Sequence, residues 1–108
     1  MTKGTLGDTI HQKMKPFRWS PEKNDKLVRE RGISFEDITV AVQSDGLLEV
    51  VSHPNLSKYP SQSIMVVSKS GYVFLVPFVE ESDHFFLKTI VPSRKATRDF
   101  LGKGLDDA

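Results

Sequence analysis

Apolar residues follow helical spacing in the first half of the chain, where two helices are predicted. The first, residues 21–31, has an N-cap at Ser20 and a typical glycine stop at Gly32. The second begins after Ser34, and Asp37 completes a capping box with that serine. Its apolar residues recur on one side of the helix: Phe35, Ile38, Ala41 and Val42. We expect this second helix to pack on the core, and the first to pack through a narrow stripe.

Strand spacing dominates the second half, where four apolar runs are predicted to form strands: 47–51, 63–69, 72–79 and 84–91. Ser70-Gly71 separates the second run from the third, and a short polar turn follows the third. Turns this short favour antiparallel pairing. The predicted fold is α+β, a four-stranded antiparallel meander with two N-terminal helices and a short C-terminal helix. The middle runs are apolar on both faces, so we expect helices, or a helix and a partner chain, to cover the sheet.

The last strand leads into a short basic helix that Ser93 caps and that ends near Leu101. Three cations share one side of it: Arg94, Lys95 and Arg98. Ala96 and Phe100 lie on the other side and are predicted to face the core. Cations at a helix N-terminus oppose the macrodipole at about 0.3–1 kcal/mol each, whereas a bound anion would gain from them and from the free N–H groups. The pattern therefore indicates either a phosphate site or a solvated basic face.

Length and composition indicate a single domain. Of the 108 residues, we assign 1–15 to a flexible arm, 16–102 to the domain and 103–108 to a tail. The chain has no cysteine, which excludes disulfides and thiol nucleophiles and is compatible with a reducing cytoplasm, where we expect the protein. Its longest apolar run has seven residues, so we expect no membrane span.

Charge is distributed unevenly along the chain. Residues 13–31 carry seven basic and three acidic residues, a balance of +4. Residues 32–83 carry two basic and seven acidic residues, which gives −5, and residues 84–103 return to +4 with five against one. If the two basic segments meet in space, they form one cationic surface on a nearly neutral protein.

Two further segments hold groups that transfer protons or bind anions. The loop between the first two strands contains His53, Lys58 and Tyr59. His84 and Lys88 share a predicted strand face, together with Phe86 and Ile90. For each loop residue alone, a purely structural role is at least as reasonable, and a lone histidine at a strand start, such as His84, is more often a surface residue than a catalyst. The three histidines lack metal-ligand spacing and no nucleotide-binding motif occurs, so we expect no cofactor and no metal.

Several ordered segments resemble the BrnT-type toxins of bacterial toxin–antitoxin pairs. The opening motifs are Phe17-Arg-Trp19, Pro21-Glu-Lys23 and Arg31-Gly-Ile-Ser-Phe-Glu-Asp37, and the closing motifs are Ile90-Val91 and Ser93-Arg-Lys-Ala-Thr-Arg98. The resemblance covers most of residues 16–101. It implies a fold like that of RelE-type ribonucleases, cleavage of RNA that stops translation, and a ribbon-helix-helix antitoxin as partner. Operon DNA would be bound only through that antitoxin.

Under this hypothesis the protein is a metal-independent ribonuclease. Arg94 and Arg98 hold the phosphate, and His53 or Tyr59 moves protons. The RNA is also bound by three lysines: Lys58, Lys88 and Lys95. Several residues depart from the family pattern, and among them Leu27, Arg31 and Thr89 stand where the family usually has Asn, His and Arg. This departure favours a non-catalytic module that binds its antitoxin or operon DNA. A nucleic-acid-binding domain unrelated to toxins is the third alternative.

Overall fold

A computed structural model describes residues 15–52, 58 and 62–102. It has three helices: α1 (Pro21–Arg31), α2 (Phe35–Ser44) and α3 (Arg94–Leu101). It has six strands: β1 (Phe17–Arg18), β2 (Leu47–Ser52), β3 (Gln62–Lys69), β4 (Tyr72–Glu80), β5 (Phe85–Leu87) and β6 (Val91–Pro92). The α+β class and the three predicted helices are confirmed. Apart from Lys15, the proposed arm and tail lie outside the described residues.

The helix ends follow the predicted capping chemistry. The Ser20 hydroxyl accepts from the Lys23 amide at 3.2 Å, and Gly32 ends α1 with φ 69°. At α2, Ser34 and Asp37 form the complete capping box, with both bonds at 3.0 Å. No helix within the described ranges is long and apolar enough to cross a membrane.

The sheet is mixed and has two more strands than the predicted antiparallel meander. Its order is β1-β5-β4-β3-β2, and β6 also pairs with β4. The pairs from β2 to β5 are antiparallel as predicted, but β1 joins β5 in parallel. The Phe17 ring lies 5.8 Å from that of Phe85, so β1 is held by packing. A two-residue strand has no period, and the sequence pattern therefore did not show its parallel pairing with β5.

The predicted strand 84–91 is divided into β5 and β6. Lys88 donates its amide to the Pro77 carbonyl at 2.8 Å, whereas Val91 pairs with Leu75. From Lys88 to Val91 the chain thus has one residue more than β4 has from Pro77 to Leu75, as at a β-bulge. The extra residue turns Ile90, 0% exposed, into the main core. The expectation that Ile90 shares a face with His84 and Lys88 is therefore wrong.

The first face of the sheet is covered by α1 and α2. Its core consists of twelve buried residues: Leu27, Ile33, Phe35, Ile38, Val42, Met65, Val67, Val76, Phe78, Phe85, Leu87 and Ile90. Trp19 closes one side of this core, with its ring stacked 5.5 Å from that of Phe35. The α1 helix contributes Leu27 alone, as its narrow apolar stripe predicted.

The second face is covered by α3 over a smaller area. Val66 and Val73 of the sheet pack with Ala96 of α3, and Leu75 and Leu101 flank them. The centre of the sheet is therefore covered by helices on both sides. The prediction that Phe100 faces the core is wrong, because its side chain is 44% exposed. It lies one turn beyond Ala96 and outside this cluster.

Candidate functional site

The α3 helix separates structural from charged residues within one short motif. Ser93 caps the helix, since its hydroxyl accepts from the Ala96 amide at 3.0 Å. Ala96 and Thr97 are buried against the sheet. The cations of the motif are all exposed: Arg94, Lys95 and Arg98. The motif thus builds a fixed base and an outward cationic side, as the sequence predicted.

Hydrogen bonds fix α3 on the edge of β4. The fully buried Val73 donates its amide to Thr97 Oγ1 at 2.8 Å and accepts from the Ser93 amide at 3.0 Å. Thr97 Oγ1 also donates to the Ser93 carbonyl at 2.7 Å. Both backbone groups of Val73 are therefore satisfied by the first turn of α3. Any movement of the helix would leave them unpaired in the interior, which opposes displacement of the cations.

The three cations of α3 differ in their partners. Lys95 Nζ lies 2.9 Å from Asp99 Oδ2, an exposed ion pair one turn apart. The side chains of Arg94 and Arg98, also one turn apart, form no hydrogen bond or ion pair with any residue of the described ranges. Their guanidinium groups hold five donors each in a planar fork, the geometry that suits phosphate oxygens. The two arginines are therefore the available anion-binding groups of α3.

A second group, of four polar side chains and one aromatic ring, lies at β5, and we call it the β5 cluster: Arg18, Asp83, His84, Phe86 and Lys88. His84 Nδ1 is 2.7 Å from Asp83 Oδ1, and its ring stands edge-on to Phe86 at 6.3 Å. Lys88 Nζ lies over the Phe86 ring at 5.3 Å from its centre, a cation–π contact. Arg18 is opposite Phe86 in the parallel β1–β5 pair. His84 and Lys88 thus contact one half-buried aromatic ring, Arg18 is aligned with it, and Asp83 holds the histidine.

The charge balance of the β5 cluster is set by Asp83. The hydrogen bond with His84 holds the pKa of the Asp83 carboxyl below its ordinary value, and the positive charge of Arg18 acts in the same direction. Asp83 is therefore ionised at neutral pH and fixes the His84 ring through Nδ1. Nε2 is then the ring nitrogen left to exchange a proton.

The β5 cluster and α3 lie on the same face of the sheet. Phe86 is opposite Val79, and Val79, Leu75 and Val73 alternate onto one side of β4, the side that α3 covers. The two groups are nevertheless separated. The Lys88 amide binds Pro77, four residues along β4 from the Val73 amide that holds Thr97, a separation of roughly 13 Å. Only an extended ligand would contact both.

The predicted site residues are therefore distributed rather than gathered. Arg94, Arg98 and Lys95 are on α3, and Lys88 belongs to the β5 cluster. Lys58 lies in an exposed turn. His53 and Tyr59, to which proton transfer was assigned, lie outside the described residues.

The two basic segments of the sequence do adjoin. Lys15 Nζ is 2.6 Å from Glu80 Oε2 and lies over the Phe85 ring, which points into the first face. Arg31 of α1 donates to the Ile90 carbonyl. Of the cations in residues 15–31, Arg18 is the one that the strand register places on the second face. The segments meet, but they contribute to the second face mainly through Arg18, Lys88 and α3.

The chain matches no family model, no curated protein and no solved structure. The site must therefore be judged from its own chemistry. Within residues 15–52, 58 and 62–102, no three His, Asp or Glu side chains come together as a metal site. The groups present suit a polyanion: cations for phosphates, an aromatic ring for a base and a histidine for proton transfer.

Sequence reasoning undervalued Arg18 and Asp83. The alternation of His84, Phe86 and Lys88 was a usable signal for the β5 cluster. Arg18 had no such signal, because it enters the cluster through the unpredicted parallel pairing of β1 with β5.

Proposed function

We propose that this chain is the toxin of a type II toxin–antitoxin pair and an endoribonuclease that inhibits translation by cleaving RNA. The observation that carries the proposal is α3: two guanidinium groups without protein partners in the described ranges, on a helix anchored through Ser93 and Thr97. Stability alone does not select Arg94 and Lys95 in the first turn of a helix, whereas phosphate binding does. Arg98 lies in the last turn, where the helix dipole favours a cation. The BrnT-like motif supports the same proposal, since its small and hydroxyl residues attach α3 to the sheet and its cations face outward.

The chain's RNA is expected to lie along the second face, from α3 to the β5 cluster. A single strand has an extended backbone and unstacked bases, so it can contact Arg94 and Arg98 with phosphates and Phe86 with a base. A RelE-like fold, cytoplasmic action and an antitoxin of the ribbon-helix-helix class belong to the same proposal. That antitoxin would carry the operon-DNA binding.

The test is induced expression of wild type and of the double variant Arg94→Ala/Arg98→Ala, followed by growth and by the integrity of total RNA. Wild type should arrest growth and fragment RNA, and the double variant should do neither. The matched control is Lys26→Ala/Arg29→Ala, which removes the same charge from exposed positions on α1. It should behave as wild type. Equal RNA breakage by both double variants would remove α3 from the mechanism.

The salt dependence of RNA binding separates loss of phosphate contacts from loss of the folded structure. For single strands, log K falls with log salt by about 0.7 for each phosphate contact. Purified Arg94→Ala/Arg98→Ala should therefore show a slope that is smaller by about 1.4 than wild type. Thermal unfolding should be similar in both proteins, because neither arginine packs in a core.

A non-catalytic binding module is the second candidate. Leu27, which stands where the resembled family has Asn, is 2% exposed and belongs to the main core. Arg31 stands where the resembled family has His, and its guanidinium donates a hydrogen bond to the Ile90 carbonyl. This candidate predicts salt-dependent RNA or antitoxin binding without cleavage and without growth arrest. Co-purification with the product of the neighbouring reading frame would support a pair under either candidate.

A further inference from the structure

The β5 cluster orients one imidazole in the manner of a proton-transfer group. Asp83 accepts at Nδ1, and Nε2 makes no hydrogen bond to a described residue. The His84 side chain is 21% exposed, so it is held against Phe86 yet open to a ligand. A carboxylate that fixes one imidazole nitrogen leaves the other positioned for acid–base exchange.

The charged groups around His84 favour a phosphodiester beside it. Arg18 approaches from β1, and Lys88 lies two residues beyond Phe86 on the same side. Asp83 is the acidic group in contact with the ring. Glu81 contacts the backbone of His84 and not its ring, because the Glu81 amide donates to the His84 carbonyl at 2.7 Å. Glu80 is paired with Lys15 toward the first face. The register and contacts therefore place the cations Arg18 and Lys88 beside the Phe86 ring, and the carboxylate of Asp83 against His84.

We infer that His84 is the catalytic acid–base residue of this ribonuclease and that Asp83 is its positioning residue. The RNA bond that is cleaved would lie against Arg18 and Lys88, with a neighbouring base on Phe86. Arg94 and Arg98 of α3 would hold the flanking strand. The inference rests on the proposed function, and it gives to described residues the role expected of His53 or Tyr59.

The reaction needs no group beyond the RNA, water and these side chains. His84 Nε2 takes the proton of the ribose 2′-hydroxyl, and the 2′ oxygen forms a bond to phosphorus while the bond from phosphorus to the 5′ oxygen breaks. The departing 5′ oxygen takes a proton from water, and the resulting hydroxide takes the proton from the imidazolium. The products are a 2′,3′-cyclic phosphate and a 5′-hydroxyl. Arg18 and Lys88 stabilise the negative charge that develops on the phosphate oxygens.

The experiment measures cleavage and binding of a single-stranded RNA by wild type, His84→Gln, His84→Ala and Arg94→Ala/Arg98→Ala. We expect both His84 variants to bind RNA as wild type does and to cleave it about 10²–10⁴-fold more slowly, the usual effect of losing a general acid–base group. Added imidazole should restore part of the activity of His84→Ala and none in His84→Gln, where the side chain fills the site. A merely structural histidine would show no such rescue.

Asp83→Asn tests the positioning role. It should reduce cleavage less than loss of His84 does, change the pH profile of the rate and show no imidazole rescue. The α3 double variant should lose binding and cleavage together, also without rescue.

The outcomes separate this inference from the proposed function. Wild-type cleavage that is retained in both His84 variants overturns the inference and leaves the proposed function standing. RNA binding without any wild-type cleavage overturns both the ribonuclease function and the inference. Cleavage lost in His84→Ala without rescue, in a protein that unfolds at the wild-type temperature, also counts against His84 as the proton-transfer group.

Discussion

The two faces of the sheet are built differently. Twelve buried apolar residues fill the first face under α1 and α2, whereas three form the second cluster under α3. The first face is stabilised by burial of apolar surface area, an effect that is not directional. The second is positioned by hydrogen bonds between Val73 and α3, which are directional. We infer that the first face provides most of the stability and that the second fixes the cationic groups.

The strongest test of this contrast compares loss of a large side chain from the core of the first face with loss of one from α3. Phe35 is 0% exposed and stacks with Trp19. Phe35→Ala should lower the free energy of unfolding by about 3–5 kcal/mol, because it removes transfer energy and leaves a cavity. Urea denaturation at constant m-value measures this change.

Phe100→Ala is the matched control on α3. Its side chain is 44% exposed, so the free energy of unfolding should fall by less than about 1 kcal/mol. Similar costs for the two substitutions would contradict the assignment of stability to the first face.

The sequence predicted the elements of the first face because their signals are local. The residues that cap the helices contact groups within one turn: Ser20, Gly32, Ser34 and Asp37. The periodicity of α2 indicates which side of the helix is buried. The additions to the sheet depend instead on contacts between distant segments. Nothing near Phe17 and Arg18 encodes their pairing with β5, and the bulge before β6 is visible only against β4.

The second test breaks the hydrogen bonds that position α3. Thr97→Val is nearly isosteric but removes the acceptor of the Val73 amide, which is then buried without a partner. The free energy of unfolding should fall by about 1–3 kcal/mol. RNA binding should weaken as well, since α3 is no longer held in place.

Thr97→Ser separates the hydroxyl from the methyl group. It keeps both hydrogen bonds and should cost no more than about 0.8 kcal/mol, the value of one buried carbon. Its RNA binding should remain close to that of wild type. A larger loss in Thr97→Ser than in Thr97→Val would mean that α3 is held by packing.

The candidate site was predictable only where its residues lie within one helix or one strand. The split of Ser93 to Arg98 into buried and exposed residues follows from helix geometry and was largely visible in the sequence. Phe100 was misassigned because a helical wheel gives the direction of a side chain, not the extent of the sheet beneath it. Asp83 joins the site through its contact with His84, and Arg18 through its alignment with Phe86. Neither relation could be predicted from the residue alone.

Apart from the two control substitutions, the smallest of these effects concerns a polar contact at the rim of the first face, where Asn24 of α1 joins the start of α2. Asn24 Oδ1 accepts from the Phe35 amide at 2.7 Å, and Nδ2 donates to Glu36 Oε1 at 2.8 Å. Asn24→Ala should lower the free energy of unfolding by about 0.5–1.5 kcal/mol. We expect this to be less than the cost of Thr97→Val, because water can reach the exposed carboxylate.

The two bonds of Asn24 differ in their pH dependence. The hydrogen bond from Asn24 is the main cause that holds the pKa of Glu36 below its ordinary value. A lowered pKa stabilises the folded protein above the unfolded pKa, and this stabilisation is lost as the pH falls through the folded pKa. The cost of Asn24→Ala should therefore decrease between neutral pH and about pH 3, below the ordinary glutamate pKa of about 4.3, while the part due to the Phe35 amide remains. Asn24→Asp is the control, because it keeps an acceptor for that amide but sets a second carboxylate beside Glu36. In this variant the pKa of Glu36, followed by NMR titration, should rise above that in Asn24→Ala. Equal Glu36 titration in wild type and Asn24→Ala would show that the amide does not set it.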